Sequence, residues 1–363
     1  MKITGKKLIG LLFCMLMIVS TIVSVSGTVL TEKTSHPLTK GNTLYVGGSG
    51  PNNYTKIQDA INDANNGDTV FVFAGLYIEN VYVNKSLNLT GENRENTIVD
   101  DNETNSTIVI EASGITINGF TIQHSGINLN NAGIKIEQYV SLVDNVCVNN
   151  NIIKQNWHAI YVFYSRNNTF SNNLIKDNLE HGIYSQNQMR NSTISNNSIE
   201  DNTYGIFLYG SSNNFIRNNK IERNYASGIY LWASDSNSIT SNYIANNEYG
   251  ITIGDSSNNI IYGNNISKNE LGITVGNAPF TMVRKNNFVD NVVHASFSYY
   301  FKEYIFNFGQ FARWWRNYWS SNSGSMKIEG HLYFIIVNQE PQYIPIPWRQ
   351  FDFFPAKEPY DIP

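Results

Sequence analysis

The chain is poor in cysteine and in charge. Two cysteines occur in 363 residues. Cys14 sits in an N-terminal apolar stretch, which leaves Cys147 alone in the body, so no intramolecular disulfide can brace the fold. Charged residues make up only 15%, and the mildly acidic balance has no basic stripe, which argues against nucleic acid as a partner. Solubility must then rest on Asn, Ser and Thr, to which sugars attached at acceptor triplets would add. A dense Leu-x-x-Leu-x-Leu frame is missing as well, which excludes leucine-rich repeats.

What is present is a repeat of 22 to 24 residues. One asparagine column runs Asn151, Asn173, Asn197, Asn219, Asn242, Asn264 and Asn286, with Ile153, Ile175, Ile199, Ile221, Ile244, Ile266 and Phe288 two places on. A second column is Asn156, Asn178, Asn202, Asn224, Asn247, Asn269 and Asn291. A third sets a small residue before isoleucine: Ala159-Ile160, Gly182-Ile183, Gly205-Ile206, Gly228-Ile229, Gly250-Ile251 and Gly272-Ile273. A fixed period with short β-branched runs broken by Asn, Ser and Gly predicts an all-β parallel β-helix, a solenoid whose strands pair with those of the turns above and below. Corner asparagines fit that geometry, because a side-chain amide both donates and accepts and so can bond the same amide one turn along.

The ends are expected to differ from the middle. Lys2, Lys6 and Lys7 precede the apolar run Leu8 to Val25. Residues 1–26 read as a secretory signal cleaved near Ser26, or as an uncleaved membrane anchor through residues 8–25. Cleavage there takes the formal charge from −4 to −7. Residues 27–43 form a linker, 44–295 the β-helix with its N-terminal cap, and 296–363 a C-terminal cap. Tyr54 to Gly67 carries a helical pattern, with Thr55 and Gln58 as a capping box, and this short helix covers the first turn. From Phe297 to Trp319 aromatics crowd together, Tyr304, Phe306, Phe308, Trp314 and Trp315 among them. They are expected to pack over the last turn or to fold back along the coil. Asn-x-Ser/Thr triplets at Asn53, Asn84, Asn88, Asn102, Asn105, Asn167, Asn191, Asn196 and Asn265 are compatible with a glycosylated surface protein.

Alternation sorts side chains onto faces. In the strand after each small residue, Ile160, Ile183, Ile206 and Ile229, with Val162, Ser185, Leu208 and Leu231, should point inward. The intervening Tyr161 and Phe163, Tyr184 and Gln186, Phe207 and Tyr209, and Tyr230 and Trp232 should point out. They form an aromatic strip that ends at Thr252 and Gly254, and such a strip suits the apolar faces of sugar rings. Either a glycan or the aromatic tail should cover it. Beside it stand His158 and His181, one turn apart, with Glu180 adjacent, and the stacked Asp177 and Asp201. Asp177, Asp201, Glu180 and His181 are candidates for acid/base catalysis on a polysaccharide, and the two aspartates equally for Ca²⁺ or for plain solvated corners. No other cofactor is expected.

Five segments together resemble a known group: Tyr54-Thr-Lys-Ile-Gln-Asp-Ala-Ile61, Asn65-Asn-Gly-Asp-Thr-Val-Phe-Val72, Gly75-Leu-Tyr-Ile-Glu79, Lys85-Ser-Leu-Asn-Leu-Thr-Gly91 and Asn118-Gly-Phe-Thr-Ile122. With the Asn/Gly-Ile copies and Asn317-Tyr-Trp319, they are similar to the NosD-like right-handed parallel β-helix proteins, which abound in archaeal cell envelopes. The resemblance spans residues 44 to 363. It implies copper-site maturation, or carbohydrate binding and sugar hydrolysis, and the fold alone does not choose between them. Copper wants clustered Cys, Met or His, and Cys147, Met189, Met282, Met326, His158 and His181 are scattered. The preferred expectation is a secreted or surface-attached binder of polysaccharide or envelope glycan through Tyr161, Phe163, Tyr184, Phe207, Tyr209, Tyr230 and Trp232. A polysaccharide lyase or glycoside hydrolase and a structural envelope spacer are the alternatives.

Overall fold

Short β-branched triplets cannot bury an apolar face alone, so the chain winds them into a coil in which each strand is covered by its own copies. The computed structural model describes residues 41–137, 142–302, 311–320, 326–336, 342–352 and 354–362. The expected signal or anchor, most of the linker, and Tyr304, Phe306 and Phe308 lie outside these residues. Three sheets of 12, 11 and 12 strands run the length of the coil. One turn passes through Thr169–Ser171 on the first sheet, Leu174–Lys176 on the second and His181–Asn187 on the third, then Thr193–Ser195 returns to the first. Pairing between turns is parallel and in register, for example Ile175 with Ile199 and Ile183 with Ile206.

The core is a set of like-on-like stacks. Ile153, Ile175, Ile199, Ile221, Ile244 and Ile266 are all fully buried, as are Ile160, Ile183, Ile206 and Ile229. Each such side chain contributes about 1.5–3 kcal/mol by leaving water. The glycine column has a steric cause. A Cβ on Gly182 would lie 2.6 Å from the carbonyl oxygen of Gly205, and one on Gly205 would lie 2.5 Å from that of Gly228.

Corners are turned by a left-handed residue followed by a buried asparagine. Asn172 (φ 56°) precedes Asn173 and Asp177 (φ 54°) precedes Asn178. In the column between the first and second sheets, Asn197 gives both its backbone N–H and its Nδ2 to Asn219 Oδ1, each at 3.0 Å. Asn219 does the same to Asn242. The second column repeats this from Asn156 to Asn291. A third ladder, unmarked in the sequence reading, turns the corner from the third sheet to the first. Its backbone N–H bonds run from Asn168 to Ser192 Oγ, then to Oδ1 of Asn214, Asn237 and Asn259 in order.

Both ends are closed. The helix is shorter than expected, Ile57–Asp63, and buries Ile57, Ala60 and Ile61 on the first turn. Thr55 and Gln58 form no capping box. The Glu79 carboxylate accepts from the N–H groups of Ile57 (2.9 Å) and Gln58 (3.1 Å) instead, and Gln58 turns its amide to the backbone of Tyr82. At the other end Trp314 and Trp319 take core positions, with Trp319 stacked on Phe288 at 4.4 Å. Asp352 ends the first asparagine ladder by accepting from Asn317 N (2.8 Å) and Nδ2 (3.0 Å). A carboxylate suits a terminus, since it accepts and leaves no donor of its own unmet.

The described strands of the tail continue the coil and do not fold back over the aromatic strip. Val293–Lys302, Met326–Ile336 and Gln342–Asp352 extend the third sheet, the first pair parallel and the second antiparallel. Pro345 and Pro347 alternate along the final strand at positions that need no N–H for this pairing, and so blunt the open edge against further strands.

Candidate functional site

The outer face of the third sheet carries the rings. Tyr184, Phe207 and Tyr230 occupy one column by register, and Tyr209 pairs with Trp232 beside it. His181 and Tyr204 form a further column on the same face. His181 stacks on Tyr184 (4.5 Å, 16°) and on Tyr204 (5.1 Å, 14°), and Phe207 stacks on Tyr230 (4.6 Å, 12°). Trp232 closes the series edge-on to Tyr230 at 6.0 Å. Tyr184, Tyr204, Phe207 and Tyr230 are half-buried by one another, whereas Tyr209 and Trp232 keep 41% and 40% of their surface exposed. Burial pushes the Tyr184 and Tyr230 hydroxyls above the usual phenol range, so both stay neutral donors. The strip ends at Trp232 for a local reason. Its indole leans over the next turn, where a Cβ on Gly254 would come within 2.8 Å of it.

Two expectations about this face need correction. Tyr161 is not open but 1% exposed, with Lys135 Nζ 5.7 Å above its ring, His158 stacked 6.0 Å away and its hydroxyl bonded to Gln186. Gln186 does not align with Phe163. A bulge after Ser185 pairs Phe163 with Asn187 and frees Gln186 to meet Tyr161. Phe163 is half-buried and packs edge-on against Tyr164 at 4.4 Å. The working strip is therefore Tyr184, Tyr204, Phe207, Tyr209, Tyr230 and Trp232. Tyr204 was missed because the glycine that follows it interrupts strict alternation, although its place one turn from His181 could have flagged it.

The polar candidates are occupied by structure. Asp177 and Asp201 (φ 54° and 58°) are the left-handed residues of the corner between the second and third sheets, where Asn and Asp are favoured over most side chains. Arg223 clamps Asp201 through Nε (3.1 Å) and Nη2 (2.9 Å) and also reaches Glu200 at 2.9 Å, while Asp177 pairs with Lys176 at 3.2 Å. His181 is buried with His158, their Nδ1 atoms 3.0 Å apart. His158 Nε2 donates to the Leu129 carbonyl at 3.0 Å, so His158 Nδ1 accepts and His181 Nδ1–H donates. Burial lowers His158 to about 4 and carries His181 well below its usual value, helped by the neighbouring His158. Glu180 is half-buried, with no side-chain bond among the described residues.

Comparison with known proteins agrees with this architecture. The family described as "Periplasmic copper-binding protein (NosD)" matches residues 185–324, and the "Right handed beta helix region" matches residues 74–242. No curated protein matches the sequence significantly. Among solved structures, the mannuronan C-5 epimerase AlgE6 A-module of Azotobacter vinelandii is 14% identical, covering 72% of this chain and 87% of that one, with TM-score 0.55. The enzymatically active domain of bacteriophage CBA120 tailspike protein 2 is 14% identical over 72% of this chain and 47% of its own, with TM-score 0.57. DFA-IIIase from Arthrobacter chlorophenolicus A6, in complex with GF2, is 14% identical over 82% and 89%, with TM-score 0.51. At these identities the likeness is one of fold.

The residues present do not fit the copper of the family description. Cys147 and Met282 lie six strands apart on the first sheet, roughly 29 Å at about 4.8 Å per strand. Burial pushes the Cys147 thiol up, away from the thiolate that binds metal, and Met189 is sealed in the core. His158 and His181 spend their facing nitrogens on each other. Among the described residues no three His, Cys, Asp or Glu side chains converge as a metal site.

Proposed function

The chain belongs to the NosD-like right-handed parallel β-helix proteins, and from that premise we propose that it binds glycan without cleaving it, at the cell surface or in the envelope. The observation that carries this reading is the ring stack from Tyr184 to Trp232, which leaves Tyr209 and Trp232 exposed among the described residues. Phenol and indole rings present flat apolar faces for sugar rings and keep a polar edge for hydroxyls. The similar folds of a mannuronan epimerase and a phage tailspike support a carbohydrate ligand. The carboxylates argue against a shared reaction, since Asp201 is clamped by Arg223 and Asp177 is paired with Lys176. Export through residues 1–26 would deliver the coil to such ligands. Among the described residues no helix is long and apolar enough to cross a membrane.

Glycan-array and pull-down assays on the purified protein should show binding that weakens at least about tenfold in the Tyr184→Ala/Trp232→Ala double variant, at ~1 kcal/mol per stacked ring. Unchanged binding in that variant would sink the reading. Shortening of any polysaccharide in a panel, with or without Ca²⁺, would restore the lyase or hydrolase alternative.

A further inference from the structure

The outer face of the third sheet continues past Trp232. Its middle column runs from Tyr230 through Thr252, Thr274 and Ser296 to Glu329, and its last column from Trp232 through Gly254, Gly276 and Ser298 to His331. Rings thus give way to hydroxyls and bare backbone for three turns, and side chains rise again on the C-terminal strands. Over the C-terminal part of this face lies a groove of 720 Å³, lined by Thr274, Ser296 and Ser298 on one side and by Glu329, His331, Trp348 and Arg349 on the other. Facing residues of an antiparallel pair share one side of the sheet, so Arg349, opposite Glu329, stands on the groove side. A second aromatic platform flanks the far end. Tyr333 stacks on Tyr300 at 4.7 Å with the rings 13° apart, and His331 lies 6.0 Å from Tyr333.

We propose that strip and groove together hold one extended, uncharged polysaccharide strand, which stacks on Tyr230 and Trp232, crosses the Thr/Ser/Gly floor and stacks again on Tyr333 and Tyr300. This rests on the glycan-binding reading and adds a second subsite and a ligand class to it. Span and surface chemistry agree. Trp232 to His331 is four strand steps, roughly 19 Å at about 4.8 Å each, about the reach of a tetrasaccharide. The floor offers hydroxyls in a row, with Ser296 Oγ 3.1 Å from Thr274 Oγ1, and Gly276, one turn past the Gly254 that the Trp232 indole covers, adds no side chain to the floor. Charge selects against an acidic chain. Arg349 is already paired with Glu329 at 3.3 Å, so a uronate carboxylate entering the groove would meet Glu329 together with Arg349. Like charges brought together at an interface oppose binding.

The test is calorimetric titration of the full chain with linear gluco-, manno- and xylo-oligosaccharides from disaccharide to hexasaccharide, and with oligomannuronate and oligogalacturonate of equal length. Thr274 is half-exposed on the groove floor, so Thr274→Arg fills the groove from outside the core, and Thr274→Ser controls for folding. Expected is a neutral hexasaccharide that loses about tenfold in affinity in Thr274→Arg and in Tyr333→Ala, while disaccharide binding holds within about twofold and Trp232→Ala weakens both. Hexasaccharide affinity unchanged in Thr274→Arg, or tighter binding of the uronates, would overturn the inference while the strip reading stands. Loss of neither length in Trp232→Ala would overturn both.

Discussion

Asn219→Ala is expected to remove on the order of 3–5 kcal/mol of stability, a large loss for a single polar residue. Asn219 Oδ1 accepts from Asn197 N and Nδ2, and its own Nδ2 donates to Ile194 O at 2.9 Å and to Asn242 Oδ1 at 3.0 Å. Alanine strands two buried donors and one carbonyl in a place that water does not reach, at about 1–3 kcal/mol each. Because a solenoid is coupled chiefly between neighbouring turns, the damage should centre there. Hydrogen exchange at the Asn197 amide should speed up far more than exchange at Asn151. Asn219→Asp sharpens the point. A carboxylate serves Asp352 well at the end of the same ladder, but mid-ladder it has no proton for Ile194 O or Asn242 Oδ1. Its stability should therefore be poor at neutral pH and recover as the carboxyl protonates. A denaturant midpoint for Asn219→Ala within about 1 kcal/mol of the parent would dismiss the ladder as a stabilising device.

How much of this was legible in the sequence follows from what each feature does to the period. Asn151 to Asn286 and Asn156 to Asn291 announce themselves because every turn needs the same donor and acceptor at the same corner. The third ladder does the same physical work, yet its column reads Asn168, Ser192, Asn214, Asn237, Asn259, and a serine hydroxyl can replace the amide oxygen without leaving a repeat in residue type. The ring strip was readable as far as alternation holds. It failed at the Gln186 bulge and at Tyr204, where backbone irregularity shifts phase without any signal in composition. Tyr161 was placed on the correct side of the strand, but only the three-dimensional neighbours, Lys135 and Gln186, bury it. The groove was invisible for another reason. Pairing Ser298 with His331 joins positions outside the regular 22- to 24-residue step, and no local pattern sets that register.

Lowering the pH from 7 to 4 should destabilise the coil through the His158–His181 pair. Both rings are neutral in the fold: burial first of all lowers His158 to about 4 against a usual 6.5, and burial with the neighbouring His158 carries His181 well below its usual value. The sign follows from proton counting. Between the two values the unfolded chain binds protons that the native pair refuses, so stability is complete above about pH 6.5 and falls as pH drops toward 4. A displacement from 6.5 to about 4 corresponds to on the order of 3 kcal/mol from His158, with His181 adding in the same direction. Denaturation midpoints measured across this window should slope downward in the parent and flatten in His158→Phe/His181→Phe, which keeps the ring contacts with Tyr184 and Tyr204 and removes the titrating nitrogens. Parallel profiles for the two proteins would assign the acid sensitivity elsewhere. Because His181 stacks directly on Tyr184 and Tyr204, charging it should disturb that end of the ring strip first. On the proposed glycan-binding reading, the affinity that Tyr184 contributes should then fall in the same pH range, while contacts made by Trp232, two turns away, persist to lower pH.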